Sequence, residues 1–145
     1  MKKYFVLIAA VFTVLIAATP ANAAYAMKFG KIQYDSPGSD NRSNSSLNAE
    51  WVRLWNTTGR SVNLTGWRLN DKAGHTYTFS RFTLGPNRSV RIHTGRGANT
   101  ASDRYWGSGN YIWNNDGDTA ALRDAAGHVI DRCSWSGREG GSKNC

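Results

Sequence analysis

After Glu50 the apolar residues of this chain recur every second position, and that period constrains the fold more than any other feature. Val52 and Leu54, Trp67 and Leu69, Tyr77 and Phe79, Phe82 and Leu84, Val90 and Ile92, and Ala120 and Leu122 each stand two apart. A period of two puts alternate side chains on one face of a strand, whereas a helix needs a period near 3.6. Turn signals punctuate these runs at Thr58-Gly59, Asp71 to Gly74, Gly85-Pro86-Asn87, Asn114 to Gly117 and Ala126-Gly127, and one long insert runs from Thr94 to Gly109. Short strands with regular punctuation predict an all-β fold, a β-sandwich. Ahead of them, Lys28 to Tyr34 reads as a strand, and the Ser/Asn-rich stretch from Asp35 to about Asn48 reads as a loop. No helical window of useful length appears after residue 23, and no repeat of 20 to 50 residues is present.

The N-terminus has a different character. Lys2-Lys3 forms a positive region, Tyr4 to Ala18 an apolar run of 15 residues, and Ala21-Asn22-Ala23 a small-x-small end. This is the pattern of a cleaved export signal over residues 1–23, with the mature protein starting at Ala24. The run is short for a bilayer span of about 20 residues, and no later segment is apolar for long enough, so no membrane span is expected after cleavage. Of 145 residues, 122 remain in the mature chain, with 16 Lys plus Arg against 10 Asp plus Glu. The expectation is therefore one small, basic, secreted domain over residues 24–145, found outside the cell. An exported chain meets oxidising conditions, and its only two cysteines, Cys133 and Cys145, are expected to form a disulfide that pins the C-terminal tail.

The segments carry a family resemblance when taken in order. Glu50-Trp51-Val52-Arg53-Leu54-Trp55-Asn56, Leu64-Thr65-Gly66-Trp67-Arg68-Leu69, and Tyr77-Thr78-Phe79 followed by Phe82-Thr83-Leu84 resemble the successive segments of a lamin-tail domain. Trp113 to Thr119, Leu122-Arg123-Asp124 and Val129-Ile130-Asp131 look like the last strands of its bacterial secreted members. The resemblance covers a core of about residues 30–136. It implies an immunoglobulin-like β-sandwich, with Trp67 packed inside, used in nuclear lamins as an interaction surface and in bacteria as a module on exported proteins. No ligand comes with it, and the lamin filament role does not carry over to a domain without a coiled-coil rod.

Several motifs have two readings. Asp116-Gly117-Asp118 suits a hard cation, but a hairpin turn explains it more simply and the distal Glu of an EF-hand loop is missing. The Asp35 to Asp40 loop has the same two readings. His75, His93 and His128 are isolated in sequence, where a catalytic metal needs three converging ligands. No Gly-x-Ser-x-Gly elbow, HExxH or P-loop is present. The expectation is a protein that is not an enzyme and takes no cofactor or metal.

The cations carry the remaining signal. Twelve of the sixteen in the mature chain are Arg, whose fork grips phosphate, sulfate or carboxylate bidentately. Alternation places Arg53, Arg68 and Arg91 opposite Val52, Leu69 and Ile92, hence on solvated faces, while Arg96 and Arg104 belong to the long insert. Trp51 and Trp55 share the side of Arg53. Together with Tyr105, Trp106 and Tyr111 they form either a stacking platform or, as preferred, a second cluster covering itself. The function expected is a non-catalytic module binding an anionic extracellular polymer, nucleic acid or acidic envelope polymer, through Arg53, Arg68, Arg91, Arg96 and Arg104, without sequence-specific readout of nucleic acid. The alternatives are a carbohydrate binder using Trp51, Trp55, Tyr105 and Trp106, and a metal-dependent hydrolase; a protein partner stays open.

Overall fold

The computed structural model describes residues 27–145. The expected export signal and its cleavage after Ala23 lie outside the described residues.

The chain runs through β1 (Met27–Gln33), a short helix α1 (Asn44–Ala49), β2 (Trp51–Asn56), β3 (Val62–Asn63), β4 (Arg68–Asn70) and β5 (Thr76–Thr78). It continues through β6 (Thr83–Leu84), β7 (Ser89–His93), β8 (Asp103–Tyr105), β9 (Asp118–Arg123), β10 (Val129–Trp135) and β11 (Ser142–Asn144). One sheet has the order β11-β1-β2-β7-β8, the second β10-β9-β4-β5, and β3 with β6 forms a small ribbon. This is the expected β-sandwich. Its core lies between the two large sheets: Phe29, Ile32, Val52, Leu54, Val90 and Ile92 point inward from the first, and Leu69, Tyr77, Ala120, Leu122 and Trp135 from the second. Both faces follow the period-two pattern, because a strand that alternates buries one row and leaves the other to solvent.

Aromatic rings fill the space between the sheets. Tyr34 stacks on Trp135 at 5.0 Å between ring centres, Trp135 meets Trp113 edge-on at 5.9 Å, Trp113 meets Trp106, and Trp106 leans on Tyr77. Trp67 is buried in the same core, as expected. Cys133 on β10 and Cys145 just beyond β11 form the expected disulfide, with 5.9 Å between their Cα atoms. Since β10 and β11 belong to different sheets, the bond staples one layer to the other.

Three segments differ from the sequence expectation. The Ser/Asn stretch holds helix α1, where a loop was expected. Ser43 caps it by accepting a hydrogen bond from the Ser46 N–H, and Leu47 buries its side chain. A six-residue helix does not persist alone in water; here the Asn44 and Asn48 side-chain amides both donate to the Arg96 carbonyl and hold it in place. The Thr94 to Gly109 insert contributes β8, which lies parallel to β7 at the sheet edge. The C-terminal tail becomes β11, paired antiparallel with β1.

Candidate functional site

The outward face of the first sheet gathers most of the cations and indoles that alternation assigned to solvent. On β2, Trp51, Arg53 and Trp55 alternate with the fully buried Val52 and Leu54. The register sets Arg53 directly across from Arg91 of β7, and Arg91 across from Asp103 of β8. In the next row Gln33, Trp51, His93 and Tyr105 are neighbours, and in the row on the other side Lys28, Trp55 and Ser89. A register shift between Phe29 and Ile32 sets Gly30 and Lys31 opposite Arg53. Such a bulge returns Ile32 to the core and leaves Lys31 outside.

Contacts within this face are specific. The guanidinium carbons of Arg53 and Arg91 lie 5.4 and 5.9 Å from the Trp51 ring centre, within cation–π reach. Arg91 Nη2 is 3.1 Å from Asp103 Oδ1, and the same oxygen lies 2.8 Å from His93 Nε2. Burial works to raise the Asp103 pKa, but hydrogen bonds from Ser102 and His93 and the Arg91 charge outweigh it and hold the carboxyl below its ordinary value. Trp55 is 38% exposed and lies over Gly30, whose backbone leaves no room for a β-carbon: one would come within 2.6 Å of the indole. Tyr105 stacks on His93 at 5.1 Å and presses on Gly97 in the same way.

The other sequence-nominated residues fall elsewhere. Arg68 sits on β4 in the second sheet, across from Arg123 of β9, and therefore on the opposite layer of the sandwich from Arg53. Arg104 is not a loop residue. It occupies β8 in the row of Ile92 and Val52, and its guanidinium lies 3.9 Å from the Phe82 ring centre. The extra strand imposes this, because its alternation turns Arg104 toward the core side while Asp103 and Tyr105 face out. Arg96 follows β7, its backbone tied to α1, and lines a hollow with Arg42, Asn44, Leu47, Ser108 and Gly109. Trp106 is no outer platform either: its N–H donates to the His93 carbonyl and its ring packs between Tyr77 and Trp113 against the core. The structure thus brings together Trp51, Arg53, Trp55, Arg91 and Tyr105, and adds Lys28 and Lys31.

The two oxygen-rich turns have structural occupations. Asp118 is buried and accepts from the backbone N–H groups of Lys72, Asn114 and Thr119. Asp35 accepts from Asn115 Nδ2. The histidines pair one by one with carboxylates: His75 with Asp71, His93 with Asp103, His128 with Asp124. Among the described residues no three His, Cys, Asp or Glu side chains come together as metal ligands.

One residue that the sequence did not single out is Glu50, at the start of the β2 segment and 1% exposed. Its Oε1 accepts from Thr94 Oγ1 and from the Ile112 and Trp113 N–H groups. Burial pushes its carboxyl up from 4.5 to about 7 against those three hydrogen bonds, and the Asp40 charge adds to the rise. It borders a cavity of about 260 Å³.

The model of the Lamin Tail Domain family matches residues 20–137, which takes in both sheets apart from β11. This chain belongs to the lamin tail domain family. The sandwich is accordingly immunoglobulin-like, and the family is a non-enzymatic immunoglobulin-like domain. No curated protein matches the chain. Among the described residues of this lamin tail domain no helix is long and apolar enough to cross a membrane, and its disulfide is compatible with an extracellular setting.

Proposed function

We propose that this lamin tail domain is a secreted module that binds an anionic extracellular polymer along the outward face of its first sheet, through Lys28, Lys31, Arg53 and Arg91. The observation that supports this best is the register itself. Arg53 and Arg91 stand directly opposite each other on neighbouring strands, like charges so placed destabilise a sheet, and Asp103 offsets Arg91 alone. An anion laid across the two strands would relieve that repulsion, and each guanidinium can fork onto a phosphate, sulfate or carboxylate. Trp51 braces both cations from one side, and the exposed Trp55 extends the strip toward Lys28. Arg68 and Arg123 form a second such pair on the other layer, too far around the sandwich to share a straight stretch of polymer with the first.

Binding of this kind is driven by counterion release and carries little sequence preference, since phosphate contacts position a protein without reading bases. If about three phosphates of duplex DNA are neutralised, log K against log salt falls with a slope near −3. The test is retention on DNA and heparin across a salt series. Arg53→Ala with Arg91→Ala should lower the slope by about two, one for each lost phosphate contact. Retention that is unchanged in this double variant would end the proposal. Trp55 favours a second reading, a glycan-stacking face, which would instead give salt-insensitive retention on insoluble polysaccharide that Trp55→Ala abolishes.

A further inference from the structure

The outward face of the second sheet gathers cations beside a hollow of about 470 Å³. Register sets its rows. Thr78, Arg68, Arg123 and Val129 stand side by side on β5, β4, β9 and β10, and next to them Thr76, Asn70, Ala121 and Arg132. Ala121, the smallest side chain of its row, lines the hollow together with Arg68 and Arg123. Both guanidiniums are drawn to the turn at Gly127. Arg123 Nη1 donates to the Gly127 carbonyl at 3.1 Å, and Arg68 Nη2 lies 3.2 Å from where a β-carbon on Gly127 would stand. Gly127 has a φ of +93°, so glycine here supplies a left-handed backbone and leaves room for Arg68. Two like charges are gathered at one turn, and the exposed Arg132 adds a third to the same face.

Among the described residues neither Arg68 nor Arg123 has a carboxylate partner. The acids on and beside these strands are committed elsewhere. Asp71 is buried and holds the backbone N–H and ring of His75; Asp124 holds those of His128. Asp131 accepts from the Phe29 and Arg132 N–H groups, and Asp118 from three others. The Arg68 side chain makes no hydrogen bond among the described residues, although its Nε is removed from solvent. The Thr76 hydroxyl is spent on the Gly74 carbonyl, the Asn70 amide nitrogen on Thr76, and Asn70 Oδ1 is enclosed. What the lining offers a ligand is therefore two guanidinium forks.

That pair selects among anions. A carboxylate brings one charge and two oxygens, which one fork fills. A phosphodiester likewise has one charge and two free oxygens. A phosphate monoester or free phosphate carries close to two charges at neutral pH and at least three terminal oxygens, enough for both forks at once.

We propose that this hollow binds a dianionic phosphate group, free or as a monoester, between the guanidiniums of Arg68 and Arg123 at the Gly127 turn. It lies on the opposite layer from Arg53 and Arg91 and takes a single group, so either site can fail without the other.

The test is titration at pH 7 and constant ionic strength with inorganic phosphate, glycerol 3-phosphate, dimethyl phosphate and acetate, read by NMR on the arginine Nε–H signals. Inorganic phosphate and the monoester should give saturating shifts at Arg68, Arg123 and the Gly127 amide, on a curve separate from any at Arg53 and Arg91. Both results support the site, and the tighter of the two ligands names the source of the group. Arg68→Gln, which removes no hydrogen bond within the protein, should weaken binding about tenfold or more, the worth of one hydrogen bond to a charged group. Arg68→Lys keeps the charge, loses the fork and should weaken it by a smaller factor. Equal binding of dimethyl phosphate or acetate would overturn the assignment of a dianion. Shifts that grow linearly and alike at every arginine, or binding unchanged in Arg68→Gln, would overturn the site.

Discussion

Replacing Glu50 by Gln should change the pH dependence of stability by an amount that can be worked out in advance. In the folded protein burial lifts the Glu50 carboxyl from 4.5 to about 7. Between those values the unfolded chain has released this proton and the folded chain still holds it. The folded state binds more protons, so the unfolding free energy falls as pH rises through that window and levels off above about pH 7. At about 1.4 kcal/mol per pH unit, the contribution of Glu50 falls by about 3 kcal/mol between pH 4.5 and pH 8. Gln is nearly the same shape and keeps an oxygen to accept from Thr94, Ile112 and Trp113, but it does not titrate. The assay is urea unfolding of both proteins at intervals from pH 4.5 to 8. All other side chains are common to both chains, so their contributions cancel in the difference. Gln should gain about 3 kcal/mol on Glu across the range. Two stability curves that stay parallel to within about 1 kcal/mol would refute the assignment of a buried, proton-retaining carboxyl.

Three further outcomes follow from the packing and the charge rows. Trp67→Ala removes a core indole only 6% exposed and should cost about 3 to 5 kcal/mol in urea unfolding, whereas Trp55→Ala should cost clearly less; equal losses would overturn the division of faces. Cys133→Ser with Cys145→Ser should lower stability by about 3 kcal/mol, the chain-entropy value for a loop of this length, and an unchanged midpoint would show that β11 holds without its staple. Asp103→Asn removes the acid that neutralises Arg91, so retention on DNA at a given salt should rise and its salt slope steepen by up to about one; unaltered elution would place Arg91 outside the binding face.

How far the sequence reveals this molecule depends on which residues carry a period. Val52, Leu54, Val90, Ile92 and Leu122 declare their strands because each faces a core on one side and water on the other. The same alternation correctly places Arg53 and Arg91 outside. Helix α1 leaves no such trace: one buried residue, Leu47, in a polar stretch gives no periodicity, and the helix is held by Asn44 and Asn48 reaching the Arg96 carbonyl, a contact across about fifty positions. Strand β8 is three residues, all half-buried, whose parallel partner is set by the path of the insert, so Arg104 and Trp106 read as loop residues. Lys31 points outward only because of the bulge beside Gly30, and an unbroken alternation from Met27 and Phe29 would have turned it inward. Glu50 hides for a simpler reason. An acid next to Trp51 at a strand start looks solvated, and its donors come from residues 44 to 63 positions away.

The two sides of the sandwich divide the work between them. Stability resides in the inward rows, the aromatic series from Tyr34 to Tyr77, and the covalent link between β10 and the segment after β11. None of these involves the outward row of Arg53 and Arg91. A core of this kind, worth many side chains at about 1.5 to 3 kcal/mol each on burial, tolerates the small repulsion of two opposed guanidinium pairs. Repulsion on one layer need not reflect a binding role, but the two pairs differ in their surroundings. Arg68 and Arg123 border a hollow with Asn70, Asp71, Thr76 and Gly127, and Arg123 donates to the Gly127 carbonyl. Arg53 and Arg91 instead stand among Lys28, Lys31, Trp51 and Trp55 in continuous rows across three strands, with the Asp103 carboxylate against Arg91 alone. Of these two surfaces only the second sets several cations in line, which is why the polymer site is proposed on the outward face of the first sheet and not from net charge alone.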